Sequence, residues 1–258
     1  MTFSRIGVLG GMGPEASSDF YSRMISYCQK RYGAVQDADY PPILLYSLPM
    51  AGFDESGIVD AEEVLSQLIG GVKLLSDAGC DFIVIPCNTV HTFIADLRAS
   101  SSIPIISIIE ETVNRVQSAG FKEVCLVASE STLSYGMYQE ALWAKDIYCA
   151  VPQVSQYPLI TDLIRGVMGG SVDSRVKSAV LDVICQMVGS STKAVILGCT
   201  EIPLAIGQED IPVAVFDTLQ VLAETAVDLS VCCPYPDPCP VRHMLYKCLN
   251  CGASPGCS

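Results

Sequence analysis

The chain reads as an α/β protein built from two similar lobes, each a mainly parallel sheet flanked by helices, with the active site in the cleft between them. Three observations predict this. Short β-branched runs alternate with longer segments of helical period. Those runs are mostly apolar, without polar alternation, as strands buried on both faces are. Two of them, about one small domain apart, end in matching cysteine motifs, Pro86-Cys87-Asn88-Thr89 and Gly198-Cys199-Thr200-Glu201.

Residues 6–9 form the first strand, which turns at once into Gly10-Gly11-Met12-Gly13-Pro14-Glu15. Pro14 suits the first turn of a helix, and the glycines let a ligand approach the backbone and leave helix N–H groups for an anion. The bland alternative is a plain strand-to-helix turn. No ribose site accompanies these glycines, and Pro14 removes a donor, so the segment is not a dinucleotide fingerprint. Strands follow at 43–48, 82–85, 105–109, 124–128, 194–197 and 213–216. Residues 61–78 place Val64, Leu65, Leu68, Val72 and Leu75 on one helix face, and 172–188 form a second such helix. A helix over 112–122, turning at Gly120, separates the lobes. The repeat assigns 1–112 plus 213–231 to the first lobe, the latter ending in a helix over 219–231. It assigns 113–212 to the second lobe and leaves 232–258 as a Cys/Pro-rich C-terminal tail.

Composition narrows the function classes. Of 258 residues, 50% are hydrophobic, enough for a sizeable core, yet every apolar run is broken before the length a membrane span needs. The opening Met1-Thr2-Phe3-Ser4-Arg5 leaves no apolar core for a secretion signal, so a cytoplasmic location is expected. A net charge of −13 without a Lys/Arg cluster argues against nucleic acid. A small anion needs only backbone N–H groups and hydroxyls in a cleft. Of the 13 cysteines, seven lie between Cys28 and Cys199, mostly inside apolar segments where Cys acts as a small core residue. A disulfide framework is the weaker reading.

A single Cys at a strand end is usually packing. A matched pair followed by amide, hydroxyl and carboxyl side chains points instead to chemistry. Inverting an α-carbon requires a proton to leave on one face and another to arrive on the opposite face, so one acid/base group on each side suffices. Cys87 and Cys199 are the candidates. Their thiols are expected to have lowered pKa values at the strand-to-helix turns. Backbone N–H groups of Asn88, Thr89 and Thr200 are candidates to stabilise the carbanion, in place of a cofactor. His91 is either a polar residue on a helix face or a group that tunes Cys87.

These segments resemble the aspartate/glutamate racemase family, and more closely its aspartate racemase branch, over residues 6–216. The likeness rests on Gly10-Gly11-Met12-Gly13-Pro14-Glu15, Pro86-Cys87-Asn88-Thr89-Val90-His91, Pro104-Ile105-Ile106-Ser107 and Gly198-Cys199-Thr200-Glu201-Ile202-Pro203. The resemblance implies a PLP-independent racemase of an acidic amino acid, aspartate or glutamate, with catalytic Cys87 and Cys199, no cofactor and a homodimeric assembly. It implies substrate contacts from Gly11, Met12, Asn88, Thr89, Thr200 and Glu201. Ser129 and Thr132 join them through Val127-Ala128-Ser129-Glu130-Ser131-Thr132, where Ser131 replaces the family's glycine. Aspartate-specific members carry an Arg and a Lys for the distal carboxylate. Here the corresponding segments read Leu48-Pro49-Met50-Ala51-Gly52-Phe53 and Tyr157-Pro158, without either cation; Arg165 is a candidate substitute, but a place on a solvated helix face is the preferred reading. Related reactions, decarboxylation or cis/trans isomerisation, and a non-catalytic amino-acid-binding role are the alternatives. In the tail, Cys239, His243, Cys248 and Cys251 have partly zinc-like spacing, but a flexible segment with no fixed metal is the preferred reading.

Overall fold

β1 (Ile6–Gly10) is buried along its whole length because it lies between β2 (Ile43–Ser47) and β5 (Phe82–Val84), parallel to both. The chain reaches β2 through α1 (Pro14–Tyr32), which starts at a proline and stops where Gly33 adopts the left-handed conformation. A small antiparallel hairpin, β3 (Phe53–Asp54) with β4 (Gly57–Ile58), leads into α2 (Ala61–Asp77). Asp60 caps α2 by accepting from the Glu63 N–H at 3.0 Å. After β5 come α3 (Ile94–Ser100), β6 (Ile105–Ile106) and α4 (Ile108–Ser118), the last capped by Ser107. The second half runs β7 (Glu123–Val127), α5 (Glu130–Ser134), α6 (Met137–Trp143), β8 (Tyr148–Ala150), α7 (Tyr157–Met168), α8 (Ser174–Met187), β9 (Ala194–Leu197), β10 (Ala214–Asp217) and α9 (Thr218–Cys232). This is a computed structural model, and it describes residues 3–54, 57–189 and 192–232.

The sheets have the orders β2-β1-β5-β6 and β10-β9-β7-β8, all parallel. Leaving out the hairpin, the first, second, third and fourth strands of each half occupy the same places, which is the repeat expected from the cysteine motifs. Side chains alternate across each sheet. Ile6, Val8, Phe82 and Val84 of the first sheet meet Val124, Leu126, Ala194 and Ile196 of the second through a shared helical layer carrying Phe20, Val113, Tyr138 and Leu222. The opposite faces are covered separately, by α2 and α3 on the first sheet and by α7 and α8 on the second.

Three boundaries differ from the sequence reading. The strand at 105–109 is shorter, because the Ser107 cap starts α4 at Ile108, so the helix expected over 112–122 begins four residues earlier. The lobe boundary at 112/113 accordingly falls inside α4. Residues 214–217 pair with β9 and so belong to the second sheet, not to the first lobe. The chain returns only with α9, which packs on α1 and α4. The metal-like set Cys239, His243, Cys248 and Cys251 lies outside the described residues. Among the described residues, no helix is long and apolar enough to cross a membrane.

Candidate active site

In each lobe the connection from first to second strand runs one way and the connection to the third runs back past the first. The strand order therefore reverses between β1 and β5, and again between β7 and β9. Ligands of open parallel sheets bind at such reversals, outside the carboxyl ends of the strands. Gly11 and Met12 follow β1 and Cys87 follows β5; Ser129 follows β7 and Cys199 follows β9. The two reversals face one another, and Met12, Cys87, Asn88, Thr89, Ser129, Cys199, Thr200 and Glu201 line one cavity between the lobes. Its space, with the mouth open to solvent, is about 460 Å³.

The first cysteine turn is held largely by residues distant in sequence. Asn88 donates through Nδ2 to the Thr218 hydroxyl at 3.2 Å, and its Oδ1 accepts from the Tyr138 hydroxyl at 2.6 Å. Thr218 in turn donates to the Leu197 carbonyl at 2.9 Å, tying Asn88 to the second sheet. The Thr89 hydroxyl lies 3.2 Å from that of Ser129 and 3.0 Å from that of Thr132. Ser129 also caps α5 through the Thr132 N–H. His91 Nε2 accepts from the Ile108 N–H at 3.2 Å, so the ring proton belongs on Nδ1, which donates to the Cys87 carbonyl at 2.7 Å. His91 is therefore not a polar residue on a helix face: it lies buried in the 3₁₀ turn after Cys87 with both ring nitrogens engaged. The ring is buried and neutral, its pKa pushed down to about 4 chiefly by desolvation, and it fixes the Cys87 backbone.

The second turn is held mainly from within. The Cys199 thiol donates to Glu201 Oε2 at 3.1 Å, and the Thr200 hydroxyl donates to the same oxygen at 3.1 Å. Glu201 Oε1 reaches across to the Gly13 N–H at 3.4 Å. The carboxylate thus binds the second cysteine to the glycine turn of the first lobe.

The expectation of lowered thiol pKa values is overturned. Burial pushes Cys87 up to about 12, assisted by the negative charge of Glu201 and opposed by N–H groups of Val90 and Thr89. Cys199 is also held well above an ordinary thiol, first by burial and then by Glu201. The physical reason is that each cysteine precedes a short 3₁₀ turn, not a long helix, while its side chain is buried against the apolar outer layer of its sheet.

Two expected contact residues stand outside the lining. Gly11, at a φ of 96°, presses against the Leu48 backbone, where a Cβ would come within 2.4 Å of the carbonyl oxygen. Thr132 is wholly buried behind Thr89 and Ser129. Conversely, Asp54, Gly57, Ile164 and Met168 line the cavity without having been singled out, as do Gly13, Phe53 and Ser131, which were named only within longer segments. Gly57, at a φ of 118°, lies so close to Ser131 that a Cβ would stand 2.9 Å from the serine Cβ, and the β3-β4 hairpin thereby reaches the second lobe. The spacing of Ile164 and Met168, four apart at the end of an amphipathic helix, was the one available signal. Arg165 is exposed and outside the lining, and no Lys, Arg or His lines the cavity among the described residues.

The family model for Asp/Glu/hydantoin racemase matches residues 9–226. The chain belongs to that family. A broad specificity amino-acid racemase from Bacillus subtilis (strain 168) is 39% identical over 137 residues, 53% of this chain and 60% of that relative. A glutamate racemase from Corynebacterium glutamicum is 28% identical over 192 residues, 70% of this chain and 62% of the relative. The chain therefore matches less than two thirds of the length of either. Among solved structures, an aspartate racemase homologue from Pyrococcus horikoshii OT3 superposes with a TM-score of 0.74 at 27% identity, covering 88% of this chain and 98% of the other. This family member therefore has the two-lobed α/β fold its sequence predicts.

Proposed function

We propose that this chain is a PLP-independent racemase of a free α-amino acid in which Cys87 and Cys199 are the acid/base pair. The observation that carries the reading is the convergence of both thiols on one inter-lobe cavity from equivalent strands of the two sheets. A thiolate removes the α-proton from one face, and the opposite thiol delivers its own proton to the other. The two cysteines then leave turnover with their protonation states exchanged, ready for the reverse direction. Charge from the broken C–H bond spreads onto the α-carboxylate, where the N–H groups of Asn88, Thr89 and Thr200 and the hydroxyls of Thr89 and Ser129 are the available donors.

Because burial raises both thiols, the resting site holds them protonated, and one proton has to leave before catalysis. Glu201 supplies the acceptor. Proton transfer from Cys199 to the carboxylate leaves a thiolate 3.1 Å from the new carboxylic acid, which can donate back to it. At the first site, the N–H groups of Thr89 and Val90 favour the thiolate of Cys87. The homodimer implied by the resemblance belongs to the same reading and is checked by sedimentation. So does the acidic substrate, whose distal carboxylate meets no Lys, Arg or His of the lining among the described residues.

The test is α-proton exchange in deuterium oxide, followed by NMR under reducing conditions. Both enantiomers of aspartate, glutamate and a panel of neutral and basic amino acids are offered to wild type, Cys87→Ser and Cys199→Ser. Exchange and inversion in wild type, with inversion lost in both variants, supports the pair. Turnover that survives either substitution, or release of carbon dioxide without α-exchange, would sink it.

A further inference from the structure

We infer that the cavity selects a neutral amino acid with an unbranched apolar side chain, of the kind carried by methionine or norleucine, and that Met12, Phe53, Ile164 and Met168 set this preference. The inference rests on the racemase reading and departs from the acidic side chain that the resemblance implies. It concerns the part of the lining that the acid/base and α-carboxylate groups leave over. Both lobes build that part from their outer cores. Met12 belongs to the apolar layer outside the first sheet, Phe53 packs against the same layer, and Ile164 belongs to the layer outside the second sheet. Met12 and Ile164 are each 5% exposed, Phe53 is half-buried and Met168 is 45% exposed. Met168 stands one turn beyond Ile164 on the same face of α7. A side chain reaching out from the α-carbon therefore runs between two apolar walls toward an apolar rim.

The polar side chains near these walls are already committed. Asp54 and Ser131 have interaction partners within the protein, and Glu201 engages the Cys199 thiol, the Thr200 hydroxyl and the Gly13 N–H. Arg165, which follows Ile164, is exposed, outside the lining and also partnered. An anionic side chain would meet no Lys, Arg or His of the lining among the described residues, within a chain of net charge −13. Desolvating a charge without a partner is strongly unfavourable. A cationic side chain would have to draw Asp54 or Glu201 away from contacts it already makes. A neutral apolar side chain requires neither. It gains by leaving water, and the unbranched thioethers of Met12 and Met168 adapt to its shape. The few polar groups of the cavity then fix the reacting end while the apolar walls choose the other. The fold explains why one wall is apolar. The segment after β2, where the resemblance calls for an arginine, instead forms the β3-β4 hairpin, and the close approach of Gly57 to Ser131 brings that hairpin, with Phe53, to the second lobe.

The experiment measures kcat/KM for norleucine, methionine, alanine, lysine, aspartate and glutamate with wild type, Met168→Ala and Met168→Leu, alongside calorimetric binding of norleucine and glutamate to the full chain. Met168 is the exposed member of the set, so replacing it alters the lining without opening the core. Norleucine and methionine should exceed both acidic amino acids by about a hundredfold in wild type, the scale of a buried charge left unpaired. Norleucine should exceed alanine by about tenfold or more, since each buried methylene contributes about fourfold. That norleucine-to-alanine ratio should fall about threefold to tenfold in Met168→Ala and be kept in Met168→Leu. Glutamate, aspartate or lysine turned over as well as norleucine overturns the inference while leaving the racemase reading intact. So does an unchanged norleucine-to-alanine ratio in Met168→Ala. Absence of α-exchange with every amino acid, together with tighter binding of norleucine than glutamate, would do the reverse, removing the racemase and keeping the apolar subsite. Absence of exchange without that binding preference removes both.

Discussion

The two cysteine turns occupy the same place in two copies of one topology, yet they are secured in different ways. Around Cys87 the polar partners are remote: Tyr138 and Thr218 hold Asn88, Ser129 and Thr132 meet Thr89, and His91 ties the Cys87 carbonyl to the start of α4. Around Cys199 the main partner is Glu201, two residues away, which engages both the thiol and Thr200. Both thiols meet backbone N–H groups and both feel the Glu201 charge, but only Cys199 donates to that carboxylate directly. Donors favour the thiolate, and a carboxylate favours the thiol or takes its proton. A duplicated fold thus places two thiols at equivalent strand ends but in different polar surroundings.

The largest effect tests whether the halves are separable. Cys87→Ala and Cys199→Ala should each lower inversion by about a thousandfold, the scale of losing one acid/base group. Each should still exchange the α-proton of one enantiomer, and of opposite enantiomers. Equal loss of exchange with both enantiomers in both variants would break the comparison.

His91 is a supporting feature of the first half alone, and its effect is on stability. Its folded pKa of about 4 lies below that of an unfolded histidine, so the unfolded chain takes up the proton first as pH falls. The stability this buried neutral ring retains at neutral pH is lost between about pH 6.5 and 4, amounting to about 3 kcal/mol. Urea unfolding across that range should show the slope in wild type and its reduction in His91→Asn.

Glu201 tests the second half. Its negative charge raises both thiols, so Glu201→Gln should move the pH profile of cysteine alkylation toward lower pH. Inversion should nevertheless fall about tenfold to a hundredfold, because the proton acceptor is gone. A profile moved to higher pH would show that Glu201 does not act through its charge. The smallest effect is expected from Tyr138→Phe, which leaves the buried Asn88 Oδ1 without its 2.6 Å donor. Denaturant titration should register a loss of about 1–3 kcal/mol. A loss near zero would mean that the remote bonding of the first turn matters less than its geometry suggests.

The strand-borne part of the site was readable because a parallel sheet places the end of each strand at one edge. Glycine turn, Cys87 to Thr89, Ser129 and Cys199 to Glu201 therefore converge as their positions after strands imply. Strand ends were less readable. Ile105 to Ile109 is apolar except at Ser107, and only that cap tells the helix where to begin. The hairpin residues Phe53 and Asp54 carry no local chemical signal, and Ile164 and Met168 carry only their helical spacing. Their place in the lining arises from a turn that reaches the other lobe and from the end of a helix packed outside the second sheet.

By itself the sequence determined the α/β class, the twofold repeat and the pair of cysteines, because apolar runs, helical spacing and a repeated motif are local patterns that bury in only a few ways. Tertiary structure alone decided which sheet takes residues 214–217, that both thiols are raised and not lowered, that Cys199 donates to Glu201, and that Phe53, Ile164 and Met168 reach the cavity. Those outcomes depend on burial and on partners far apart in the chain, and neither quantity is a property of any short segment.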